Sequence, residues 1–164
     1  MGTASAKAQG LGQVITTHAK LNASTGNQFL YMIVRDSQAL ALLKTGDKQL
    51  YITHGAMTQI KPRCVLDFYV HESLQRQGVG QTIFEFMLDF ERMTPEQFAY
   101  DRPSPKLLGF LAKNYKLANY SPQVNNFVIF NEYFTKKSPK KQDRAANNQR
   151  MGQIEETKSV QRFQ

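Results

Sequence analysis

A glycine-bearing turn between an apolar strand and an amphipathic helix constrains the fold of this chain more than any other feature. Residues 64–70 form an apolar, β-branched and aromatic run of strand length. After the turn at residues 75–80, hydrophobic residues recur at helical spacing, at Val79, Ile83, Phe86, Met87 and Phe90. The sequence therefore predicts a buried strand, a tight turn and a helix in direct succession.

Gly78 and Gly80 in this turn are suited to bind a phosphate group. Neither has a Cβ atom, so a ligand can approach the backbone closely. The first N–H groups of a helix have no intrahelical partner, and the macrodipole places partial positive charge there. These properties favour a pyrophosphate site, although most such glycine pairs are only structural. The turn is neither a dinucleotide-binding fingerprint, because one G-x-G stands alone, nor a P-loop, because no Gly-Lys-Ser/Thr follows.

Length and composition exclude several classes of protein. At 164 residues with 41% hydrophobic content, the chain is expected to form one domain. It has no apolar run of about 18 residues and no apolar signal region at its N-terminus, so we expect neither a membrane span nor a secretory signal. The single cysteine, Cys64, fits a reducing compartment. With one cysteine and the scattered His18, His54 and His71, we expect no metal site.

Most of the net charge of +8 lies near the C-terminus. From residue 135 onward the chain holds eight Lys or Arg, against Asp143, Glu155 and Glu156. This stretch is rich in Gln and Asn and poor in apolar residues, so we expect a basic, disordered tail at residues 135–164. Such a tail favours an acidic partner. Phe163 is its only aromatic residue, which argues against specific recognition of nucleic acid.

The remaining sequence predicts a mixed α/β sheet flanked by helices, within a single domain at residues 1–134. Ser104 is placed to cap a helix that begins with Pro105. Residues 45–48 read as the turn of a hairpin between strands at 40–44 and 49–53. The other predicted elements are a helix end at 4–13, strands at 28–35, 64–70, 97–100 and 124–134, a loop at 58–63, and helices to about residues 93 and 115.

Several motifs resemble a known family. The pattern Gln75-x-x-Gly78-x-Gly80 between strand and helix is similar to the acetyl-coenzyme A motif of GNAT acetyltransferases. Four longer blocks, at residues 4–9, 64–73, 101–108 and 122–130, closely resemble the α-tubulin N-acetyltransferases. The resemblance covers roughly residues 4–134. It implies a GNAT-like fold and the use of acetyl-CoA to acetylate one lysine on the α-tubulin loop that faces the microtubule lumen.

The resemblance also implies the site residues. It assigns catalytic roles to Asp101, Cys64 and Gln9, for which the residues alone would indicate a turn carboxylate, a buried small hydrophobe and a solvated side chain. A covalent acetyl-cysteine does not follow, because direct attack by the amine suffices. The implied acetyl-CoA-binding residues are Phe68, Tyr69, Val70, His71, Gln75, Arg76, Gln77, Gly78, Val79, Gly80, Gln81, Ser104, Lys106, Leu107 and Lys113.

The implied biology is that of a monomeric, cytoplasmic enzyme on the microtubule cytoskeleton, including the axoneme of cilia, with no membrane or specific nucleic-acid partner. Family domains begin with further sequence before residues 4–9, including an N-terminal strand, which we expect this chain to lack. Two alternatives stay open at this stage. One is a non-catalytic microtubule- or coenzyme-binding module, and the other is a GNAT enzyme for a different protein lysine.

Overall fold

The structure is a computed structural model that describes residues 1–24, 27–121, 123 and 125–135. The helices are α1 (Gly2–Ala8), α2 (His18–Asn22), α3 (Val79–Glu91), α4 (Pro105–Tyr115) and α5 (Glu132–Thr135). The strands are β1 (Phe29–Arg35), β2 (Gln38–Asp47), β3 (Leu50–His54), β4 (Ala56–Ile60), β5 (Arg63–Val70), β6 (Phe98–Asp101) and β7 (Phe127–Ile129). Short 3₁₀ turns lie at Glu72–Leu74 and Pro95–Gln97. The predicted tail at residues 135–164 lies outside the described residues except for Thr135.

A five-stranded sheet in the order β1-β2-β5-β6-β7 confirms the predicted α/β class. The strand at 64–70 is its central strand, β5, which pairs antiparallel with β2 and parallel with β6. The glycine turn then leads into α3, as the apolar periodicity predicted. β3 and β4 form a separate two-stranded sheet. No helix among the described residues has the length and apolarity needed to cross a membrane.

A β-bulge in β5 decides which side chains lie on which face of the sheet. Lys44 of β2 pairs with Asp67 and Thr45 pairs with Val65, so Leu66 is the extra residue. Phe68 and Val70 consequently pack with α3 and α4, on what we call the α3 face. Asp67 lies on the opposite, α1 face, because successive residues of a strand alternate. Without the extra residue, Asp67 would point into the aromatic core.

The α3 face carries the main hydrophobic core. Phe84 stacks edge-on to Phe110, with ring centroids 5.3 Å apart, and packs beside Phe68 at 6.0 Å. The predicted apolar stripe of α3 is correct at Ile83 and Met87, which are buried, but it omitted Phe84, which is fully buried. Phe86, by contrast, is 41% exposed. Its ring contacts Tyr31 of β1 edge-on and stacks on Phe90.

The predicted hairpin around residues 45–48 is wrong. Residues 45–47 instead extend β2, which pairs with β1 and β5, and β3 pairs with β4. Gly46 is needed for close packing, because a Cβ there would lie 2.9 Å from both Gln28 Cγ and Leu66 Cδ1. The real hairpin turns use Asp36 and Ser37, both at positive φ, and Gly55 at φ 79°. Of the predicted loop at 58–63, residues 58–60 belong to β4 and Arg63 begins β5, so only residues 61 and 62 lie between strands.

The predicted final strand at 124–134 is also too long. Only Phe127–Ile129 form β7, which pairs with β6. Phe130 makes an isolated bridge to Tyr120, and α5 follows. Pro122 and Val124 lie outside the described residues. The apolar run continues past β7 because Phe130 packs on Tyr100, while Tyr133 and Phe134 pack against the core from α5.

Candidate active site

The glycine turn presents an open helix N-terminus. Gly78 is the N-cap of α3 in the left-handed conformation, at φ 83°, and no side chain caps the helix. The first backbone bond of the helix runs from Thr82 N to Gly78 O at 3.0 Å, so the N–H groups of residues 79–81 precede the helical ladder. A Cβ at Gly78 would meet nothing within 4 Å, whereas one at Gly80 would lie 3.4 Å from Val70 Cγ2. Gly78 therefore leaves space for a ligand, whereas a Cβ at Gly80 would rest against β5 at ordinary van der Waals distance.

Gln75 links this turn to the walls on either side. Its Nε2 donates to Val70 O at 2.9 Å, at the end of β5. Its Oε1 accepts from Lys106 Nζ at 3.5 Å, which brings the first turn of α4 to the same place. Ser104 caps α4, because its Oγ accepts from Leu107 N at 3.2 Å, as the sequence predicted. The exposed Lys106 of α4 thus reaches the turn that leads into α3.

A gap opens between the two parallel strands next to the turn. β5 pairs with β6 only from Arg63 to Val65, against Phe98 to Tyr100. The β6-side edge of residues 66–70 pairs with no other strand of the described part of the chain. An extended ligand with amide groups can bind such an edge in the manner of an added strand. The gap leads from Asp101, where β6 ends, toward the uncapped start of α3.

The other predicted coenzyme-binding residues fall into two groups. Phe68, Val79 and Leu107 pack into or against the core of the α3 face. Three of the remaining side chains form hydrogen bonds within or beside the turn: Tyr69 Oη donates to Glu72 at 2.7 Å, His71 Nδ1 contacts Ser73 Oγ at 2.8 Å, and Gln77 donates to Ser73 O at 2.8 Å. Arg76 is exposed at φ 64°. Gln81 donates instead to Glu85, and Lys113 lies in the last turn of α4.

The buried Asp67 carboxylate on the α1 face accepts hydrogen bonds from the N-terminal segment that carries Gln9. Asp67, only 3% exposed, accepts hydrogen bonds from Ser5 Oγ at 2.7 Å and Gln9 Nε2 at 2.8 Å on its Oδ1. Its Oδ2 accepts from Thr16 Oγ1 at 2.5 Å. Gln9 Nε2 also donates to Ser5 Oγ at 2.7 Å. Three donors from residues 5–16 therefore converge on one carboxylate of the central strand.

Lys44 and Asp101 are two further charged residues on this face. Lys44 lies opposite Asp67 in the strand register, and its Nζ donates to Ile15 O at 2.7 Å. Burial lowers the pKa of Lys44, and the charges of Asp67 and Asp101 oppose that shift. Burial raises the pKa of Asp101, against the lowering effects of Arg102, Lys48 and Lys44. A carboxylate with a raised pKa is a better proton acceptor near neutral pH.

Cys64 lies on the same face but is shielded from solvent. Its pKa is raised to about 12, chiefly by burial and further by the Asp101 and Asp47 charges. The thiol donates to Pro62 O at 3.5 Å and packs among Leu66 and Ala99. Since the thiolate is the nucleophile, a thiol this well buried is suited to packing and local polarity rather than attack. All three predicted catalytic residues thus share one face of the sheet.

Sequence reasoning missed four polar residues of this face: Asp67, Lys44, Ser5 and Thr16. A usable signal existed for two of them. Asp67 stands inside an otherwise apolar strand, and Lys44 follows an alanine- and leucine-rich run. Charged residues are almost never fully buried unless they are paired, so each pattern indicates a partner. Ser5 and Thr16 carried no such signal, because only the packing of α1 and of the segment after it brings them to Asp67.

Comparison with known proteins identifies the family. A family model described as GNAT acetyltransferase, Mec-17, matches residues 1–162. An α-tubulin N-acetyltransferase of Tetrahymena thermophila is 50% identical over 136 residues, which cover 82% of this chain and 34% of that protein. One from Leishmania infantum is 46% identical over 138 residues, covering 82% and 56%. α-Tubulin N-acetyltransferase 1 of Danio rerio is 47% identical over 146 residues, covering 84% and 48%.

The chain thus spans between about a third and somewhat over half the length of these curated relatives. Among solved structures, a mutant of the AtaT toxin bound to the C-terminus of the antitoxin AtaR aligns with 75% of this chain and 80% of its own. Its TM-score is 0.50 at 16% identity, a likeness that shows the fold alone. With the five-stranded sheet and the glycine turn in place, the sequence match is decisive. The chain belongs to the Mec-17 family of GNAT acetyltransferases.

Proposed function

We propose that this protein transfers the acetyl group of acetyl-CoA to a lysine of α-tubulin in microtubules. The observation that carries the proposal is the gap between β5 and β6, which joins Asp101 to an uncapped helix N-terminus. The names of the relatives at 46–50% identity support α-tubulin as the acceptor. The acceptor lysine is the one on the lumenal loop, and the enzyme works as a monomer on the microtubule cytoskeleton, including cilia.

The site can hold acetyl-CoA along this gap. The N–H groups of residues 79–81 and the ammonium of Lys106 offer donors and positive charge to the pyrophosphate. The free edge of β5 at residues 66–70 offers backbone groups to the amides of the pantetheine arm. The arm then directs the thioester toward the end of β6, beside Asp101. No metal is required by this arrangement.

Asp101 is the group best placed to prepare the acceptor amine. A free lysine has a pKa of about 10.4, so it must lose a proton before it can attack. In the proposed reaction the Asp101 carboxylate accepts this proton, and the neutral amine nitrogen forms a bond to the thioester carbonyl carbon. The carbon–sulfur bond breaks, the sulfur leaves as the thiolate of coenzyme A, and a proton returns to that sulfur. The products are an N-acetyl-lysine and coenzyme A.

The proposal is tested with purified protein, acetyl-CoA and polymerised microtubules, with free tubulin dimers and an unrelated lysine-rich protein as other acceptors. We expect acetylation of α-tubulin and its loss in Asp101→Asn with acetyl-CoA binding intact. Binding without turnover in the wild-type protein would favour a non-catalytic coenzyme-binding module. Preference for the unrelated protein would indicate a GNAT enzyme for another lysine.

The coenzyme site has a matched pair of glycine variants. Gly78 and Gly55 both have left-handed φ, 83° and 79°, and a Cβ at either would meet nothing within 4 Å. Alanine at each therefore adds about 1–2 kcal/mol of backbone strain without a steric clash inside the protein. We expect Gly78→Ala to weaken acetyl-CoA binding by calorimetry and Gly55→Ala to leave it unchanged. Equal affinities would place the phosphates elsewhere.

A further inference from the structure

We propose that Asp67, together with Ser5, fixes the side-chain amide of Gln9 with its oxygen facing the site, where it accepts a hydrogen bond from the incoming amine. Asp67 is thus a positioning residue that acts through Gln9. The inference rests on the proposed function for the identity of the amine. The clamp itself, defined as the side chains of Ser5, Gln9, Thr16 and Asp67, rests only on the geometry of the α1 face.

The hydrogen atoms of the clamp can be placed without ambiguity. The Asp67 carboxylate accepts hydrogen bonds from three side-chain donors, on Ser5, Gln9 and Thr16. The Ser5 hydroxyl must therefore donate to Asp67 Oδ1, which leaves the Ser5 oxygen to accept from Gln9. The network runs in one direction, from amide to hydroxyl to carboxylate.

This direction determines which way the Gln9 amide points. A glutamine NH₂ group has two hydrogens, and both are used, toward Ser5 Oγ at 2.7 Å and Asp67 Oδ1 at 2.8 Å. The flipped amide would place its oxygen against a carboxylate oxygen, where neither atom can donate. Chemistry thus selects the orientation in which Gln9 Oε1 points away from Asp67.

The remaining capacity of Gln9 is to accept. No residue of the described chain donates to Gln9 Oε1, and the side chain is only partly buried. Gln9 closes α1 as its C-cap, so a rigid element carries it. An amide oxygen can orient an ammonium or amine but is too weak a base to deprotonate one. Gln9 therefore complements Asp101, and it has no free N–H with which to stabilise an oxyanion.

A swap of donor and acceptor tests the clamp. Asp67→Asn removes the carboxylate that orients Gln9, and Gln9→Glu sets two carboxylates against each other. The double variant restores a hydrogen bond with reversed polarity, from the introduced asparagine N–H to the introduced glutamate, and still presents an acceptor oxygen. With a tubulin-loop peptide as acceptor, we expect each single variant to lower kcat/KM at least tenfold. We expect the double variant to recover most of that loss.

The readouts separate positioning from folding. Acetyl-CoA affinity should be unchanged in all three variants, and Thr45→Val provides a destabilised control, because Thr45 hydrogen-bonds Glu91 on the other side of the sheet. If kcat/KM of the double variant falls by at least the product of the losses in the two single variants, the proposal is overturned. If Asp67→Asn does not fold, Ser5→Ala replaces it: this change frees one Gln9 hydrogen, and unchanged kcat/KM would equally overturn the proposal.

The clamp can also be tested without catalysis. In the free protein, the two Gln9 NH₂ hydrogens should exchange slowly with water and their NMR signals should shift in Ser5→Ala. A wild-type protein that shows protected hydrogens but no acetylation would refute the proposed function and leave the clamp intact. Fast exchange in a protein that does acetylate tubulin would refute the clamp alone.

Discussion

Replacing Glu91 at the end of α3 should destabilise the fold far more than its position on the helix suggests. A negative charge in the last turn opposes the helix macrodipole, so its removal alone would gain about 0.3–1 kcal/mol. The structure shows why this acid is nevertheless needed. Glu91 pairs with Arg63 of β5, and the two side chains are only 6% and 3% exposed.

The size of the effect follows from the groups that Glu91 satisfies. Its Oε1 accepts from Tyr31 Oη at 2.9 Å, Thr45 Oγ1 at 2.5 Å and Arg63 Nη2 at 3.0 Å, and its Oε2 from Arg63 Nε. In Glu91→Ala the guanidinium keeps Asp47 at 3.4 Å as its acidic partner. Leaving a buried charge without its main partner costs about 3–5 kcal/mol, which outweighs the gain from the dipole.

Urea unfolding followed by circular dichroism measures this cost. We expect Glu91→Ala to lower the free energy of unfolding by about 3 kcal/mol, equivalent to about 10 °C in Tm for a domain of this size. The matched control is Glu85→Ala on the exposed side of the same helix, where Glu85 accepts a hydrogen bond from Gln81. That control should change stability by less than about 0.5 kcal/mol. Equal midpoints for the two variants would refute the assignment of Arg63–Glu91 as a stabilising pair.

Three further outcomes are expected. Asp101→Asn should lower kcat by about 10²- to 10⁴-fold. Wild-type kcat should fall as the pH drops through the raised pKa of Asp101, because the protonated acid accepts no proton. An Asp101→Asn variant with wild-type kcat on a tubulin-loop peptide would contradict this role. The pKa of Cys64 is raised to about 12 in the folded protein. An unfolded thiol has a pKa of about 8.5, so stability is full below that pH and declines as pH rises toward 12. Between about pH 9 and 11, the free energy of unfolding of Cys64→Ala, measured by urea titration, should therefore fall less steeply than that of the wild-type protein. Parallel pH dependences for the two proteins would contradict the raised pKa of the buried thiol. The Gln123 side chain accepts from Thr53 N at 2.9 Å through Oε1 and donates to Thr53 O at 3.3 Å through Nε2. Gln123→Leu should therefore speed hydrogen exchange at the Thr53 N–H about fivefold or more. The control Gln59→Leu, in the same hairpin as Thr53, should leave that exchange rate unchanged.

The amino-acid sequence by itself determined the central strand–turn–helix unit and the α/β class. These depend on local patterns, namely an apolar run of strand length, glycines that permit left-handed φ, and helical spacing of hydrophobic residues. The cap at Ser104 was likewise predicted, because capping involves groups only three residues apart. The family was visible for a related reason, since its motifs are contiguous in sequence.

Only the tertiary structure decided which residues share a face and what they contact. The bulge at Leu66 depends on the register between β2 and β5, and it sends Asp67 to the α1 face. Gly46 was predicted to lie in a turn, yet it allows close packing inside a strand. Glu91, unfavourable on its own helix, is held by Arg63 from a distant strand. Such contacts join residues far apart in the chain, so they cannot be predicted from local sequence patterns. They form only when the sheet and its helices pack together.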